Sequence, residues 1–151
     1  MLGRCFCGEV AFDFDGPISS IELCHCSRCR RSSGSAFAAE FYVNPARFRW
    51  TKGESRISFY DAPILRNPPA YRVSFCRNCG SQVPTVREGA SVISIPAGLV
   101  EGQIDAQVSD QIFMGLRAKW FDPVGLSDMP AYEAGPPHEF RERMMSAVKP
   151  D

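Results

Sequence analysis

Apolar and polar residues alternate in short runs along much of the chain. Val10, Phe12 and Phe14 fall on one side of an extended segment and Glu9, Ala11 and Asp13 on the other, a period of two that predicts a half-buried strand. Tyr71, Val73 and Phe75 repeat the pattern just before Cys76 and predict a second half-buried strand. Further strands are expected over 18–24, 36–43, 56–60, 82–87, 91–96 and 110–116. Turn chemistry separates them, at Asp15-Gly16-Pro17, Lys52-Gly53-Glu54, Asn67-Pro68-Pro69, Glu88-Gly89 and Glu101-Gly102.

Two segments break the alternation. Residues 27–33 are expected to turn helically, which would point Cys26 and Cys29 toward one ion, because residues three apart share a helix face. In the tail, Pro136-Pro137 precedes a segment with Phe140, Met144 and Val148 on one stripe. Prolines suit a helix start, so a C-terminal helix with that stripe as core contact is expected. The predicted organisation is therefore a mainly β domain over 1–135, with a helical tail over 136–151 packed on it. No internal repeat is visible. With 151 residues, 12 Gly, 12 Pro and 11 Phe, the composition fits a single β-rich domain with aromatic filling.

Charge removes some functions from consideration. Acidic and basic residues balance at 17 each, so no overall field draws in nucleic acid or anionic lipid. The longest apolar stretch, 36–43, is interrupted by Glu40 and is far too short to span a membrane. The N-terminal Met1-Leu2-Gly3-Arg4-Cys5 carries no apolar run suited to a secretory signal. A cytoplasmic protein is expected, as a monomer or homodimer.

The seven cysteines then change the picture. They fall in three groups: Cys5 and Cys7; Cys24, Cys26 and Cys29; and Cys76 and Cys79. An odd number, with several cysteines one residue apart, does not suit a disulfide framework. The C-x-C pairs also lack the usual ferredoxin spacings. Zinc is the metal expected. Cys5, Cys7, Cys76 and Cys79 supply four thiolates, the number that closes a tetrahedral structural site. Their separation in sequence would make that zinc a clasp between the first strand and a hairpin in the middle of the chain. Cys24, Cys26 and Cys29 supply three ligands, and a zinc so held keeps a position open for substrate. His25, between two of these cysteines, is read as a supporting residue and not as the fourth ligand. His138 is read as an ordinary exposed residue at a helix start.

Of the 17 basic residues 14 are arginine, and Arg28, Arg30 and Arg31 lie on the three-cysteine group. Their planar forks suit a carboxylate. Ser32 and Gly34 offer a hydroxyl and a backbone amide beside them. Together these five form the candidate substrate-binding set.

Three stretches carry a resemblance. They are Gly3-Arg4-Cys5-Phe6-Cys7-Gly8-Glu9-Val10, the run from Cys24-His25-Cys26-Ser27-Arg28-Cys29 to Ser35, and Phe75-Cys76-Arg77-Asn78-Cys79-Gly80-Ser81. Pro96-Ala97-Gly98-Leu99 and Lys119-Trp120-Phe121 add a weaker match. In order and spacing the chain resembles the glutathione-dependent formaldehyde-activating enzyme family, whose domain is shared with centromere protein V. The resemblance implies a β-tent fold and two zincs per chain, held by the four-cysteine and three-cysteine sets. It also implies carbon–sulfur lyase chemistry, nominally glutathione plus formaldehyde giving S-(hydroxymethyl)glutathione, with Cys24, Cys26 and Cys29 at the catalytic metal. Two positions depart from the family pattern. Members often carry a histidine where this chain reads Ser109-Asp110-Gln111-Ile112-Phe113, and a proline where it has Lys119.

The functional expectation is thus a zinc-dependent enzyme acting on the thiol adduct of a small aldehyde. Two other readings use the same cysteines: a non-enzymatic zinc module that binds a protein or nucleic acid, and a thiol or metal sensor. Neutral net charge and the absence of a long basic run count against nucleic acid.

Overall fold

The computed structural model describes residues 1–63, 71–121 and 129–148. The fold is mainly β, as expected, with ten short strands in three sheets and two helices among the described residues. β1 (Leu2–Arg4), β2 (Ala11–Phe14) and β5 (Phe48–Lys52) form the first sheet. The second has the order β10 (Val108–Ile112), β3 (Ile21–Cys24), β4 (Ala38–Val43) and β9 (Ile93–Pro96). β6 (Ile57–Ala62), β7 (Tyr71–Cys76) and β8 (Gln82–Val83) form the third. Adjacent strands pair antiparallel except β10 and β3, which run parallel.

The first two sheets bury their apolar faces against each other. Val10, Phe12 and Phe14 are buried as the alternation requires, and Phe12 and Phe14 join Phe41, Val43, Ile93 and Ile95 in the main core. The rings of Phe14 and Phe41 lie 5.5 Å apart, and Phe48 stacks on Phe12 at 5.6 Å. Packing of this kind between aromatic rings adds to the area they bury.

The same register gives the four-stranded sheet a second, polar face. Phe41 pairs with Ile95 and Val43 with Ile93 on the core side. Side chains alternate along a strand, so Ala38, Glu40 and Tyr42 of β4 point the other way. Cross-strand partners share a face. Cys24 therefore lies beside Ala38 and Ile112, and Glu22 lies between Glu40 and Asp110. One face of the sheet is core; the other carries thiols and carboxylates.

β7 forms as expected, but its apolar side chains are not the ones most buried. Ser74 and Cys76 are buried, while Tyr71, Val73 and Phe75 are only half-buried. Cys76 must enter a thiol cluster from the end of this strand, and the residues alternating with it are turned away. The strand expected over 110–116 stops at Ile112, because Phe113 takes a left-handed backbone (φ 58°) and a short 3-10 turn follows at Met114–Leu116. β1 and β5 were not anticipated. The turn expected at Asn67-Pro68-Pro69 lies outside the described residues.

α2 (His138–Ser146) forms the tail helix. Val148 is buried and Phe140 sets its ring 5.9 Å from that of Tyr132; the Met144 side chain lies outside the described part. His138 is exposed, its Nδ1 3.5 Å from Glu142.

Candidate metal centres and the adjoining cavities

Cys5 and Cys7 sit in the turn after β1, and Cys76 and Cys79 in the turn after β7. The two turns are built alike. The amide of Gly8 donates to the Cys5 carbonyl and that of Gly80 to the Cys76 carbonyl, each over 2.9 Å. Both glycines are left-handed (φ 73° and 74°), a conformation that a side chain would strain. The turns close on each other, with all four sulfurs within 4.8 Å of one another. Cys5 Sγ lies 3.5 Å from Cys7 Sγ, and Cys7 Sγ 3.9 Å from Cys76 Sγ. Zinc–sulfur bonds in a tetrahedron place sulfurs about 3.8 Å apart, so the spacing fits the ion.

The surroundings favour thiolate at part of this cluster. The Val10 amide lies 3.3 Å from Cys5 Sγ. The Ser81 hydroxyl, 3.4 Å from Cys79 Sγ, leads the contacts that pull that thiol down to about 5. Burial pushes Cys76 up to about 11. All seven cysteines are free thiols.

Cys24, Cys26 and Cys29 converge from one local segment, and all three are buried. Cys24 ends β3. Cys26 caps α1 (Ser27–Ser33), accepting the Cys29 amide on its sulfur at 3.4 Å. Cys29 lies one turn into the helix, so its thiol returns to the same point. Gly34 ends the helix in a left-handed cap (φ 65°), and Arg30 and Arg31 in the last turn suit the helix dipole. Hydrogen bonds from the Cys24 and Cys29 thiols, then amides of the helix start, bring Cys26 down to about 2 against the opposing effect of burial. The same thiol contacts and burial push Cys24 upward. The three thiols therefore titrate as one coupled group, with Cys26 the most readily ionised of them.

His25 does not join the three sulfurs. Its ring is fully buried between Phe37 and Phe121, each 5.5 Å away, with Nε2 3.0 Å from Gln111 Oε1. Burial lowers its pKa. Gln111, through that contact, ties the Cys24–Cys26 turn to β10.

The arginines separate. Arg28 stacks its guanidinium 5.0 Å over the Tyr71 ring. Arg28, Arg31 and Ser32 line a cavity of about 430 Å³ with Tyr60, Tyr71 and Val73. Ser32 Oγ lies 2.8 Å from the Tyr71 hydroxyl. Arg30 is turned back, its Nε donating to the His25 carbonyl at 3.3 Å. Tyr71 also lines a second cavity, of about 330 Å³, together with Glu40, Tyr42, Arg72, Arg87 and Arg141.

The sequence reading passed over Glu40, Tyr42, Tyr71 and Arg141 as site residues. Nothing in their local pattern marks them. Glu40 looked like an interruption in an apolar run, and only its register with Glu22 places it on the polar face.

Comparison with known proteins agrees with this architecture. A crystal structure of a Rhodobacter sphaeroides protein, a structural genomics target, aligns with a TM-score of 0.51 at 20% identity, covering 87% of this chain and 99% of that chain. No curated protein matches. The family model described as glutathione-dependent formaldehyde-activating enzyme matches residues 1–115, and the chain belongs to that family.

Proposed function

We propose that this protein is a zinc-dependent carbon–sulfur lyase acting on the adduct of a small aldehyde with a thiol, glutathione being the thiol its family implies. The observation that carries the reading is the convergence of three buried thiols, Cys24, Cys26 and Cys29, against Tyr71, which lines two cavities. Three sulfurs leave room for a fourth donor. Cys5, Cys7, Cys76 and Cys79 would hold a structural zinc, and Cys24, Cys26 and Cys29 would hold the second. A zinc ion at the second set supplies positive charge that favours the thiolate form of an incoming thiol.

The chain's residues do the remaining work. Arg28 and Arg31 hold a carboxylate of the substrate in the larger cavity, whose wall Tyr60, Tyr71 and Val73 complete. Ser32 and Tyr71 present a coupled pair of hydroxyls next to Cys29. Gly34 closes the helix that aims Cys29. Seven free thiols suit a reducing compartment, and among the described residues no helix is long and apolar enough to cross a membrane.

Cobalt substitution tests the reading. Glutathione added to the cobalt protein should change the thiolate-to-metal absorption, and the change should vanish in Cys29→Ser. A spectrum indifferent to thiols would remove the open site from the chemistry.

A further inference from the structure

The smaller cavity, which shares Tyr71 with the cavity lined by Arg28, has a wall of mixed charge. Its polar lining includes Glu40, Tyr42, Tyr71 and three arginines, and Glu40 is the one carboxylate among the described residues that line it. Two of the neighbouring groups are already engaged. Arg72 makes two bonds of 2.7 Å to Asp61, and Tyr42 donates its hydroxyl to Glu22 over 3.2 Å. Glu40 is held differently. Ser94 Oγ donates to one of its oxygens at 2.9 Å and Gln82 Nε2 to the other at 3.5 Å, and no ion pair to it is found among the described residues. Two neutral donors orient a carboxylate without neutralising it, and each oxygen keeps a lone pair free.

Its position relative to the thiols follows from the sheet. Glu40 is on the same face as Ala38, which pairs with Cys24. Tyr71, which lines the same cavity as Glu40, packs against the buried cluster of Cys24, Cys26 and Cys29. A carboxylate placed in a sheet wall without an ion pair among the described residues costs stability, and Glu40 is not part of the main core. We propose that Glu40 is a catalytic residue of this site, the group that takes the proton from the substrate thiol and returns it to the carbonyl oxygen.

This assignment rests on the thiol–aldehyde reading of the three-cysteine site. In the forward direction the S–H bond of the thiol breaks and its proton passes to a Glu40 oxygen. The sulfur electron pair forms the new bond to the aldehyde carbon, the carbonyl π bond opens, and the oxygen takes the proton back from Glu40. The product is the hydroxymethyl thioether and Glu40 ends as it began, so no outside oxidant or reductant is required. The reverse order cleaves the carbon–sulfur bond. The smaller cavity is then where the aldehyde end of the substrate sits, with the carboxylate end beyond Tyr71.

Calorimetric titration of glutathione into the zinc-loaded protein, in buffers of different ionisation enthalpy near neutral pH, gives the number of protons released on binding. With Glu40 as acceptor the wild-type protein should retain the thiol proton and release close to none. Glu40→Gln should release about one per thiol bound, and should lower kcat for adduct formation by about 100-fold or more with the thiol KM little changed. Equal proton counts in the two proteins overturn the role of Glu40 even if the adduct is turned over. Absence of thiol binding in the wild type overturns the functional reading and the role of Glu40 with it. Should Glu40→Gln fail to fold, Glu40→Asp serves, because it keeps the charge but withdraws it by one methylene. It should still retain the proton while kcat falls, and unchanged kcat would contradict the proposal.

Discussion

Glu22 of β3 and Glu40 of β4 stand directly opposite each other, two carboxylates on the sheet face that also carries Cys24. Asp110 flanks Glu22 on the other side, fully buried, with Ser109 donating to one oxygen at 2.7 Å. Acids in such a row cannot all ionise cheaply. Burial first, and the charge of Asp110 next, raise Glu22 to about 7.

That elevation gives a pH dependence of stability. The folded pKa lies above the ordinary value of 4.5, so the stability Glu22 contributes is present below that value and is lost as pH rises through about 7. Glu22→Gln should melt with the wild type at about pH 5 and above it at about pH 8.5, the gap approaching on the order of 3 kcal/mol for the full shift. Thermal melts of zinc-loaded protein across that range provide the check, and a gap that closes with rising pH contradicts the coupling.

Cys76→Ser should undo the clasp between the first strand and the third sheet. Loss of a structural metal belongs to the few changes that cost more than about 4 kcal/mol, which is roughly 10 °C in a chain of this size. Elemental analysis should find at most the second zinc, and aggregation is expected on heating. A melt within a few degrees of the wild type contradicts the structural role.

Phe41→Ala isolates the apolar core from the metals. Phe41 is fully buried against Phe14, and removing such a ring costs about 3–5 kcal/mol. The melting temperature should fall by roughly 10 °C with zinc content unchanged, since the ring lies on the sheet face away from Cys24. Loss of zinc along with stability would show that the two faces do not behave independently.

How far the fold was legible from sequence differs between elements. Val10, Phe12 and Phe14 alternate cleanly because one face is buried and the other wet. The same rule located β7 but not its more buried face, since the thiol of Cys76 and not the hydrophobicity of Tyr71, Val73 and Phe75 decides which face turns in. β1 has only three residues, and β5 sets Arg49, Thr51 and Lys52 around two aromatics, so neither stands out. The cysteine groups were legible because metal ligation constrains local spacing. The carboxylates and Tyr71 were not, because their proximity to the thiols depends on strand register, which one sequence does not specify.

Turnover of a thiol–aldehyde adduct by the three-cysteine site is the central functional claim. Wild-type protein and Cys29→Ser, both with their melts recorded, should be compared for adduct formation from glutathione and formaldehyde, with the uncatalysed rate subtracted. Cys29 belongs to a site built on one local segment, so the variant should melt close to the wild type while its net rate falls by about 100-fold or more. Full activity in Cys29→Ser, or no rate above background in the wild type, would contradict it.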